Sequence, residues 1–417
     1  MRALYARRKI LFALVCALVI CVNFARTITF TAHHWNEPWP EGRLAIDGQF
    51  YLAGAKQIWG APHFWQLHDN FHAPGFQVLL GLLLRITAPE RGIDTAGLIH
   101  ASKVILLSLF AATLLLLLRL GVKAFSWAEG TLAAVILSAS LAWCFYANML
   151  QYEVLAGFLL TLAIACSLEM NSARRCARYS ASVVGGFSLA LLAWIHSRFL
   201  LFGLLPLICV AWRGSPWRER KTECALMLAC VLFPILLWLS VRSWEAGTIV
   251  PLRERSSSLF HLGNNPNSLG VNFPFPLIAE PSGWAFIGTR PGQFLWLVCQ
   301  RFLYFWGIKP DWWTVPQMVG PHYEYDGWSI LSFIALAIGL GLAMREKGHR
   351  AARLPLYFAI AAAIAPPLFI FASGRFLVPL LPLVALFQAK FFLSVGRKIC
   401  RRLEFFRSVA RQGKAGL

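Results

Sequence analysis

Long apolar segments recur along this chain and limit what it can fold into. A helix of about 20 apolar residues is long enough to cross the hydrocarbon core of a bilayer. Because 58% of the 417 residues are hydrophobic and only 14% are charged, a soluble domain could not bury this much apolar surface. The sequence therefore predicts an all-α polytopic integral membrane protein with about ten spans. The predicted spans lie near residues 10–30, 96–118, 128–148, 152–170, 179–197, 199–213, 222–242, 326–344, 354–372 and 375–395.

The positive charge of the chain is distributed in short clusters between the apolar segments. A formal net charge of +20 would point to nucleic acid in a soluble protein. Lys and Arg arranged in this way instead orient membrane proteins and meet anionic lipid head groups. We therefore set nucleic acid aside as a partner and expect contact with membrane lipids.

The apolar segment 73–86 decides the predicted topology. All six basic clusters are cytoplasmic only if this segment lies along the membrane surface or dips into it without crossing. We therefore predict ten spans with both termini inside and a single domain over residues 1–417. The first apolar segment is expected to be an uncleaved span, since no small-x-small cleavage pattern follows it.

Two long loops are predicted at the outer face, residues 31–95 and 243–325, and residues 396–417 form a basic cytoplasmic tail. Loops of this length are uncommon without a function. The second loop contains PGQFLWLVCQRFLYFW, whose aromatic and apolar residues suit a helix lying in the membrane interface.

Ionisable residues are concentrated at the predicted outer ends of the spans, where they often mark a substrate site. One carboxylate among several cations suggests a general base that acts on a neutral hydroxyl beside a phosphate-bearing donor. In that interpretation Asp47 accepts the proton, and Lys103, Arg198 and Arg375 hold the phosphate. The full set is Asp47, His68, Asp69, His72, Lys103, Glu153, His196, Arg198 and Arg375.

Several of these residues also have a simpler structural explanation. Asp47 precedes a glycine, and Asp-Gly is common in turns. Lys103 and Arg198 fit long side chains whose charged heads reach the interface, and Glu153 fits an acid at a helix N-terminus.

The segment HDNFH raises the question of a metal. It places His68 and His72 four residues apart with Asp69 beside the first. Without a third firm ligand, surface histidines explain the pattern more simply. No cofactor is predicted with certainty, and a divalent metal stays open.

The order of these features resembles the GT-C superfamily of membrane glycosyltransferases. The similarity is to the family that contains dolichyl-phosphate-mannose protein mannosyltransferases and the bacterial lipid A aminoarabinose transferase. Such proteins carry an acid-plus-aromatic motif in the first outer loop, similar here to DGQFYLAGAKQIWG from Asp47. A Pro-containing apolar stretch follows, similar to HAPGFQVLLG from His72, and then a basic residue in the next span, similar to Lys103 in HASKVILL.

Three later segments extend the resemblance. A second acid at the outer start of a span looks like Glu153 in ANMLQYEVLAGFLLTLA. The segment RSWEAGTIVPLRERSSSLFHLGNNPNSLG resembles the stretch that ends in Gly-Asn-Asn-Pro, which adds Asn264 and Asn265 to the predicted binding residues. SGRFLVPLLPLVAL, with Arg375, is similar to the late R-(F/Y)-L-x-P-x-x-P helix.

The resemblance implies a GT-C-type bundle with juxtamembrane helices in the first outer loop. It implies an enzyme at the periplasmic face of a bacterial inner membrane. The enzyme would move a hexose or pentose, with inversion, from a polyprenyl phosphate to a lipid, glycan or protein acceptor. Two positions depart from the family pattern: Gly48 follows a single Asp47 where an acid pair is usual, and Ala73 stands in H-A-P-G where K-P-P is usual.

Two other functions stay open on the residues alone. A lipid-linked sugar transporter or flippase tends to show internal repeats and polar groups near the midplane, and neither is found here. An O-antigen ligase or polymerase would place its catalytic His and Arg in one large late loop and leave Asp47 dispensable.

Overall fold

The computed structural model describes residues 2–36, 46–63, 73–87, 95–211, 219–250, 260–261, 263–265, 283–308, 328–346, 353–370, 372 and 374–414. All regular elements within those ranges are helices. The first half of the chain forms α1 (Arg2–His33), α2 (Ile46–Gly60), α3 (Gly75–Thr87), α4 (Thr95–Ala124), α5 (Trp127–Ala139), α6 (Leu141–Tyr146), α7 (Glu153–Glu169), α8 (Arg175–Ile195), a 3-10 helix (Ser197–Leu204) and α9 (Leu205–Ala211). The second half forms α10 (Lys221–Ala246), α11 (Gly283–Thr289), α12 (Pro291–Phe305), α13 (Trp328–Arg345), α14 (Leu354–Phe369), a second 3-10 helix (Gly374–Leu380) and α15 (Leu381–Lys414).

Five helical segments are long and apolar enough to cross a bilayer, and further apolar helices are shorter. Many of their large apolar side chains remain exposed, Leu18, Leu115 and Phe233 among them, as expected for a surface that faces lipid. The chain is thus a multi-pass, all-α membrane protein, whereas the count of about ten spans stays a prediction. The five segments are Ile10–His33, Ala96–Ala124, Arg175–Ile195, Lys221–Ala246 and Gly374–Arg402.

Some predicted spans are interrupted. The predicted span 128–148 breaks at Ser140, whose hydroxyl accepts a hydrogen bond from the backbone N–H of Trp143 (3.3 Å) and so starts α6. The predicted span 375–395 begins as a 3-10 helix that contains Pro379. Proline removes a backbone donor, so a regular α-helix cannot run through that position unchanged.

The first two spans are joined through the short helices α2 and α3, which fit the predicted juxtamembrane pair. With 13 residues, α3 is shorter than the roughly 20 residues that a crossing requires. The two helices pack closely because Gly81 of α3 lies against Ile58 of α2. Ile58 and Val78 then form a small apolar cluster with Trp238 of α10, which anchors the pair to the bundle.

Ion pairs gather at one end of the bundle, which we call the basic end. It comprises the ends of α4, α7 and α13 together with the starts of α5, α8, α10 and α14. Arg119 and Lys123 contact Glu169 there, and Arg178 bonds Glu223 at 2.7 Å. We call the opposite end, where α1 ends and where α2 and α7 begin, the site end.

Arg353 joins several helices at the basic end. Its guanidinium donates to the carbonyl oxygens of Ala124 (2.7 Å) and Ala343 (2.8 Å), which lie at the C-termini of α4 and α13. It also bonds Glu346 at 2.6 Å and lies 4.5 Å from the ring centroid of Phe125. A cation placed on C-terminal carbonyls that have no partner within their own helix stabilises both helix ends.

Glu129 and Glu346 tie α15 to the same end. Lys390 of α15 contacts Glu346 and lies 3.7 Å from Glu129, and Arg397 lies 3.3 Å from Glu129. Partial burial acts to raise the pKa of Glu346, but hydrogen bonds from Lys390 and Arg353 outweigh it and hold this pKa below its usual range.

Candidate functional site

Asp47 is the second residue of α2, where its backbone is helical. Its side chain lies outside the described parts of the chain, and so do His68, Asp69 and His72. The helical repeat places Asp47 on the same face of α2 as Tyr51, one turn later. The assignment of Asp47 as a base therefore stays a prediction.

Tyr51 connects α2 to the start of α7. Its ring is buried, 5.1 Å from the ring of Phe76 in α3 and 6.0 Å from the ring of Tyr152, measured between centroids. The first loop and the segment before α7 thus meet at the site end. Tyr51 belongs to the DGQFY motif, but the sequence alone predicts no role for it.

His196 separates α8 from the following 3-10 helix. Its Nδ1 accepts a hydrogen bond from the backbone N–H of Arg198 (3.2 Å), which caps the 3-10 helix and fixes the turn. The backbone of this turn lies so close to α3 that a Cβ on Gly75 would be 2.7 Å from the carbonyl carbon of Trp194. The glycine of the HAPG motif therefore allows α3 to approach the segment that carries Arg198.

The guanidinium of Arg198 lies among aromatic rings. Its central carbon is 4.3 Å from the centroid of Phe376, 4.6 Å from Phe199 and 5.8 Å from Tyr152. Such cation–π contacts hold a guanidinium without using its N–H donors. All three nitrogens are buried, and none has a hydrogen-bond partner among the described residues.

A buried guanidinium with unused donors is an unfavourable state for a protein, because polar groups taken out of water are normally hydrogen-bonded. The charges nearest to Arg198 include the carboxylate of Glu153 and the guanidinium of Arg375. Arg198 is thus prepared to bind an anion that comes from outside the fold.

Glu153 and Arg375 face each other beside Arg198. Glu153 begins α7 and is buried, and its Oε1 lies 3.9 Å from Nε of Arg375. Arg375 also lies 5.7 Å from the ring centroid of Phe376. The structure thus brings together three of the predicted site residues, Glu153, Arg198 and Arg375, from three separate segments.

Lys103 lies beside the end of α1. Its ammonium donates to the carbonyl oxygen of His34, and the side chain is buried. One turn earlier, His100 stacks on Trp35 with ring centroids 4.7 Å apart. The position of Lys103 therefore connects α1 and α4 at the site end, and its role as a phosphate ligand stays a prediction.

The two asparagines of the GNN turn are held by the protein itself. Asn264 is buried, its Oδ1 accepts from both terminal nitrogens of Arg301 (3.1 Å each), and its Nδ2 donates to the carbonyls of Phe260 and Phe369 (2.9 Å each). Asn265 donates weakly to the His261 carbonyl at 3.5 Å. In this arrangement Asn264 acts as a structural link between a loop and the end of α14.

Arg301 of α12 is a residue that sequence reasoning missed. It is fully buried and also donates to the carbonyl oxygens of Gly263 (2.5 Å) and Leu368 (2.9 Å). Burial lowers its pKa to about 10, which leaves it charged at neutral pH. The available signal was a single cation in the aromatic sequence CQRFLYF, which had been interpreted only as an interfacial helix. Leu295 and Trp296 are exposed on α12 as that interpretation expects.

An apolar cavity of about 640 Å³ includes Gly374, the chain neighbour of Arg375, in its wall. It lies between α5, α13 and α15. Its wall runs from Gly374 at the site end to Phe391 and Phe392 further along α15. Apart from a few polar groups such as Ser332 and Gln388, the lining is aliphatic or aromatic. A long hydrocarbon chain fits such a lining.

Within the described residues, no group of three or more His, Cys, Asp or Glu is arranged to hold a metal ion. The HDNFH segment lies outside them. A divalent metal at the HDNFH segment therefore stays a prediction.

These features define the class of the chain at the level of its architecture: it has the fold of the GT-C membrane glycosyltransferases. The crystal structure of the Archaeoglobus fulgidus oligosaccharyltransferase tethered with an acceptor peptide aligns with 94% of this chain at a TM-score of 0.53 and 11% identity. The structure of the same organism's oligosaccharyltransferase AglB, in complex with an inhibitory peptide and a dolichol-phosphate, aligns at 0.50 and 11% identity. ArnT from Cupriavidus metallidurans bound to undecaprenyl phosphate aligns with 92% of this chain and 77% of its own at 0.43 and 11% identity.

This chain spans about half the length of the oligosaccharyltransferases that it matches, 50% and 51% in the two structures. The sequence matches no protein-family model, and no curated protein is similar to it by sequence. The predicted GT-C resemblance is thus confirmed for the fold. The similarity is found in the structure and not in the amino-acid sequence.

Proposed function

We propose that this protein is a glycosyltransferase that moves one monosaccharide from a polyprenyl-phosphate donor to an acceptor in the cell envelope. The observation that carries the proposal is Arg198, a buried guanidinium that is held by aromatic rings and whose donors have no hydrogen-bond partner among the described residues. A phosphate supplies the negative charge and the acceptor oxygens that this group lacks.

The cations have separate tasks in the proposed site. Arg198 binds the donor phosphate directly. Arg375, which already faces Glu153 at 3.9 Å, contributes positive charge from the other side. As the sugar leaves, negative charge grows on the phosphate oxygen, and a fixed guanidinium stabilises that charge without reorganising. Lys103 and His72 are assigned to the same phosphate on sequence grounds alone.

Asp47 is the proposed general base. The acceptor hydroxyl attacks the anomeric carbon and a new C–O bond forms there. The bond from that carbon to the phosphate oxygen breaks, and the electron pair stays on the phosphate. The hydroxyl proton passes to the Asp47 carboxylate. One displacement inverts the anomeric centre and requires no covalent intermediate.

The apolar cavity beside Gly374 is proposed to hold the isoprenoid chain of the donor. Gly374 in its wall is one residue from Arg375, so a chain in the cavity would run along α15 from a phosphate held by the cations. An apolar lining of this kind accepts the chain from the bilayer without a desolvation cost, because lipid tails are as apolar as the lining. The dolichol-phosphate bound to the archaeal oligosaccharyltransferase is a lipid of the same kind.

We further propose that the site end faces the periplasm of a bacterial inner membrane. The Lys and Arg clusters gather at the opposite end, which the positive-inside bias assigns to the cytoplasm. Native cysteines test this orientation. A membrane-impermeant thiol reagent applied to spheroplasts should label the exposed Cys299 but leave Cys176 and Cys400 unlabelled until the cells are broken. The reverse pattern would show that the site end is cytoplasmic.

The activity itself is tested by Asp47→Asn in a purified assay with undecaprenyl-phosphate sugars and envelope lipid acceptors. Asparagine keeps the size of the side chain but cannot accept the proton, so transfer should fall about 10²–10⁴-fold, while donor binding stays unchanged. Asp94→Asn is the matched control, because Asp94 belongs to the same predicted loop and should leave transfer at the wild-type rate. Wild-type transfer by Asp47→Asn would remove Asp47 as the base. Movement of lipid-linked sugar across vesicles without transfer would favour a flippase.

A further inference from the structure

The segment between α6 and α7 is buried although it is not helical. Residues 147–152 follow Tyr146 and lead directly to Glu153. Within it, Asn148 is 0% exposed and Gln151 is 1% exposed. The backbone N–H of Asn148 bonds the Phe145 carbonyl (2.9 Å), and that of Gln151 bonds the Met149 carbonyl (2.7 Å). The segment is therefore fixed in place.

The side-chain amides of this segment are not satisfied. Neither Oε1 nor Nε2 of Gln151 has a hydrogen-bond partner among the described residues. Asn148 donates from Nδ2 to the Cys144 carbonyl at 2.9 Å, but its Oδ1 has no partner in the same set. Leaving these atoms buried without hydrogen bonds destabilises the folded chain. A polar group of a bound ligand would supply the missing hydrogen bonds.

Two other buried amides in the described part of the chain are hydrogen-bonded. Asn264 uses both ends of its side chain, as described above. Gln388 of α15 donates to the carbonyl oxygen and the hydroxyl of Ser332. Gln151 and Asn148 differ from these two amides, and they share one short segment. Glu153 lies two residues after Gln151. The ring of Tyr152, between Gln151 and Glu153, lies under the Arg198 guanidinium.

We propose that Gln151, together with the carbonyl oxygen of the Asn148 side chain, binds hydroxyl groups of the sugar that is transferred. The inference rests on the proposed function and assigns a further part of the same site. A sugar hydroxyl both donates and accepts hydrogen bonds, and so does a glutamine side chain, whereas Asn148 adds one acceptor. Acceptor oxygens repel a phosphate, so these amides select the uncharged part of the donor, and Arg198 selects its charged part.

The test separates binding of the sugar from binding of the lipid phosphate. The full chain, purified in detergent, is titrated with undecaprenyl phosphate. It is also titrated with undecaprenyl phosphate that carries glucose, mannose, galactose or arabinose. Gln151→Met keeps the shape of the side chain and removes both hydrogen-bonding atoms. The variant should bind the sugar-free lipid within twofold of wild type. Its preference for the best sugar-bearing lipid should fall roughly ten- to hundredfold, as expected when two hydrogen bonds are lost.

Three further measurements exclude a merely structural role. Gln151→Met should unfold at the wild-type temperature or above it, because it removes an unsatisfied buried group. Gln151→Glu keeps the acceptor, loses the donor and should shift which sugar is preferred. Asn23→Leu is the matched control. Its amide bonds Ser138 at 3.2 Å, so it should lower the unfolding temperature without changing the sugar preference.

The results that would overturn the sugar site differ from those that would overturn the proposed glycosyltransferase activity. If Gln151→Met and Gln151→Glu keep the wild-type sugar preference, or weaken both kinds of lipid equally, the sugar site lies elsewhere. The inference is then overturned while transfer by the wild type still supports a glycosyltransferase. If the wild type binds no sugar-bearing lipid better than the sugar-free one, the inference fails as well. Absence of both binding and transfer would overturn the proposed function itself.

Discussion

Arg198 and Arg353 place the same side chain in matching surroundings at opposite ends of the bundle. Arg198 lies 4.3 Å from the ring centroid of Phe376 and Arg353 lies 4.5 Å from that of Phe125. The nitrogens of Arg353 donate to two helix C-termini and to Glu346, whereas those of Arg198 have no hydrogen-bond partner among the described residues. Packing against aromatic rings is common to both, whereas the hydrogen bonds of Arg353 and its ion pair with Glu346 distinguish it from Arg198.

The difference fits a basic end that stabilises the fold and the proposed ligand site at the opposite end. A side chain selected for stability has its donors satisfied by the chain itself, as at the basic end. A site for an external anion keeps its donors unused, and the rest of the fold compensates for that loss. Substitution of the two arginines should therefore have opposite consequences for stability and for activity.

The largest effect on stability is expected from Arg353→Met at the basic end. The substitution leaves the carbonyl oxygens of Ala124 and Ala343 buried without their donor, which costs about 3 kcal/mol. Glu346 is 40% exposed and adds little to this. The unfolding temperature in detergent should fall clearly and the yield should drop. An unchanged unfolding temperature would mean that this end of the bundle does not depend on Arg353.

Arg198→Met should do the reverse. A charge-assisted contact to phosphate contributes about 1.5–3 kcal/mol, so binding of undecaprenyl phosphate should weaken roughly ten- to hundredfold. The unfolding temperature should stay the same or rise, because an unsatisfied buried cation is removed. Arg198→Lys keeps the charge but loses the planar fork, so its affinity for undecaprenyl phosphate should lie between those of the wild type and Arg198→Met. Loss of stability without loss of lipid binding would assign Arg198 to the fold.

The sequence predicted the charged residues that meet at the site end but not the groups that hold them. Glu153, Arg198 and Arg375 stood out because ionisable residues are rare in apolar segments, and the structure brings these three together. The adjacent rings of Tyr152 and Phe376 gave no comparable signal, since the chain contains 32 Phe, 17 Trp and 9 Tyr. Aromatic residues that line a site and those that face lipid are alike in a sequence.

The sequence also did not predict contacts between distant segments of the chain. Asn264 was predicted to bind substrate from its motif, yet its partner Arg301 lies 37 residues further along the chain. No local pattern links a polar turn to an interfacial helix. The division of the chain into spans was easier, because hydropathy depends only on neighbouring residues. The break at Ser140 and the 3-10 start at Gly374 depend on packing and were not predicted.

The smallest effect concerns the pH dependence of the basic end. Although partial burial opposes it, hydrogen bonds from Lys390 and Arg353 lower the pKa of Glu346 in the folded state, below the value of 4.5 taken for an unperturbed Glu. A carboxyl with a depressed folded pKa stabilises the protein above its unfolded pKa and loses that contribution as pH falls through the folded pKa. Because Glu346 is 40% exposed, screening limits the contribution to less than about 1 kcal/mol. Glu346→Gln should therefore unfold slightly below wild type at pH 7, and the two unfolding temperatures should converge as the pH is lowered from about 5 toward 3. A difference that stays constant across this range would show that the carboxylate charge is irrelevant. The contrast between the two ends would then rest on the carbonyl bonds of Arg353 alone.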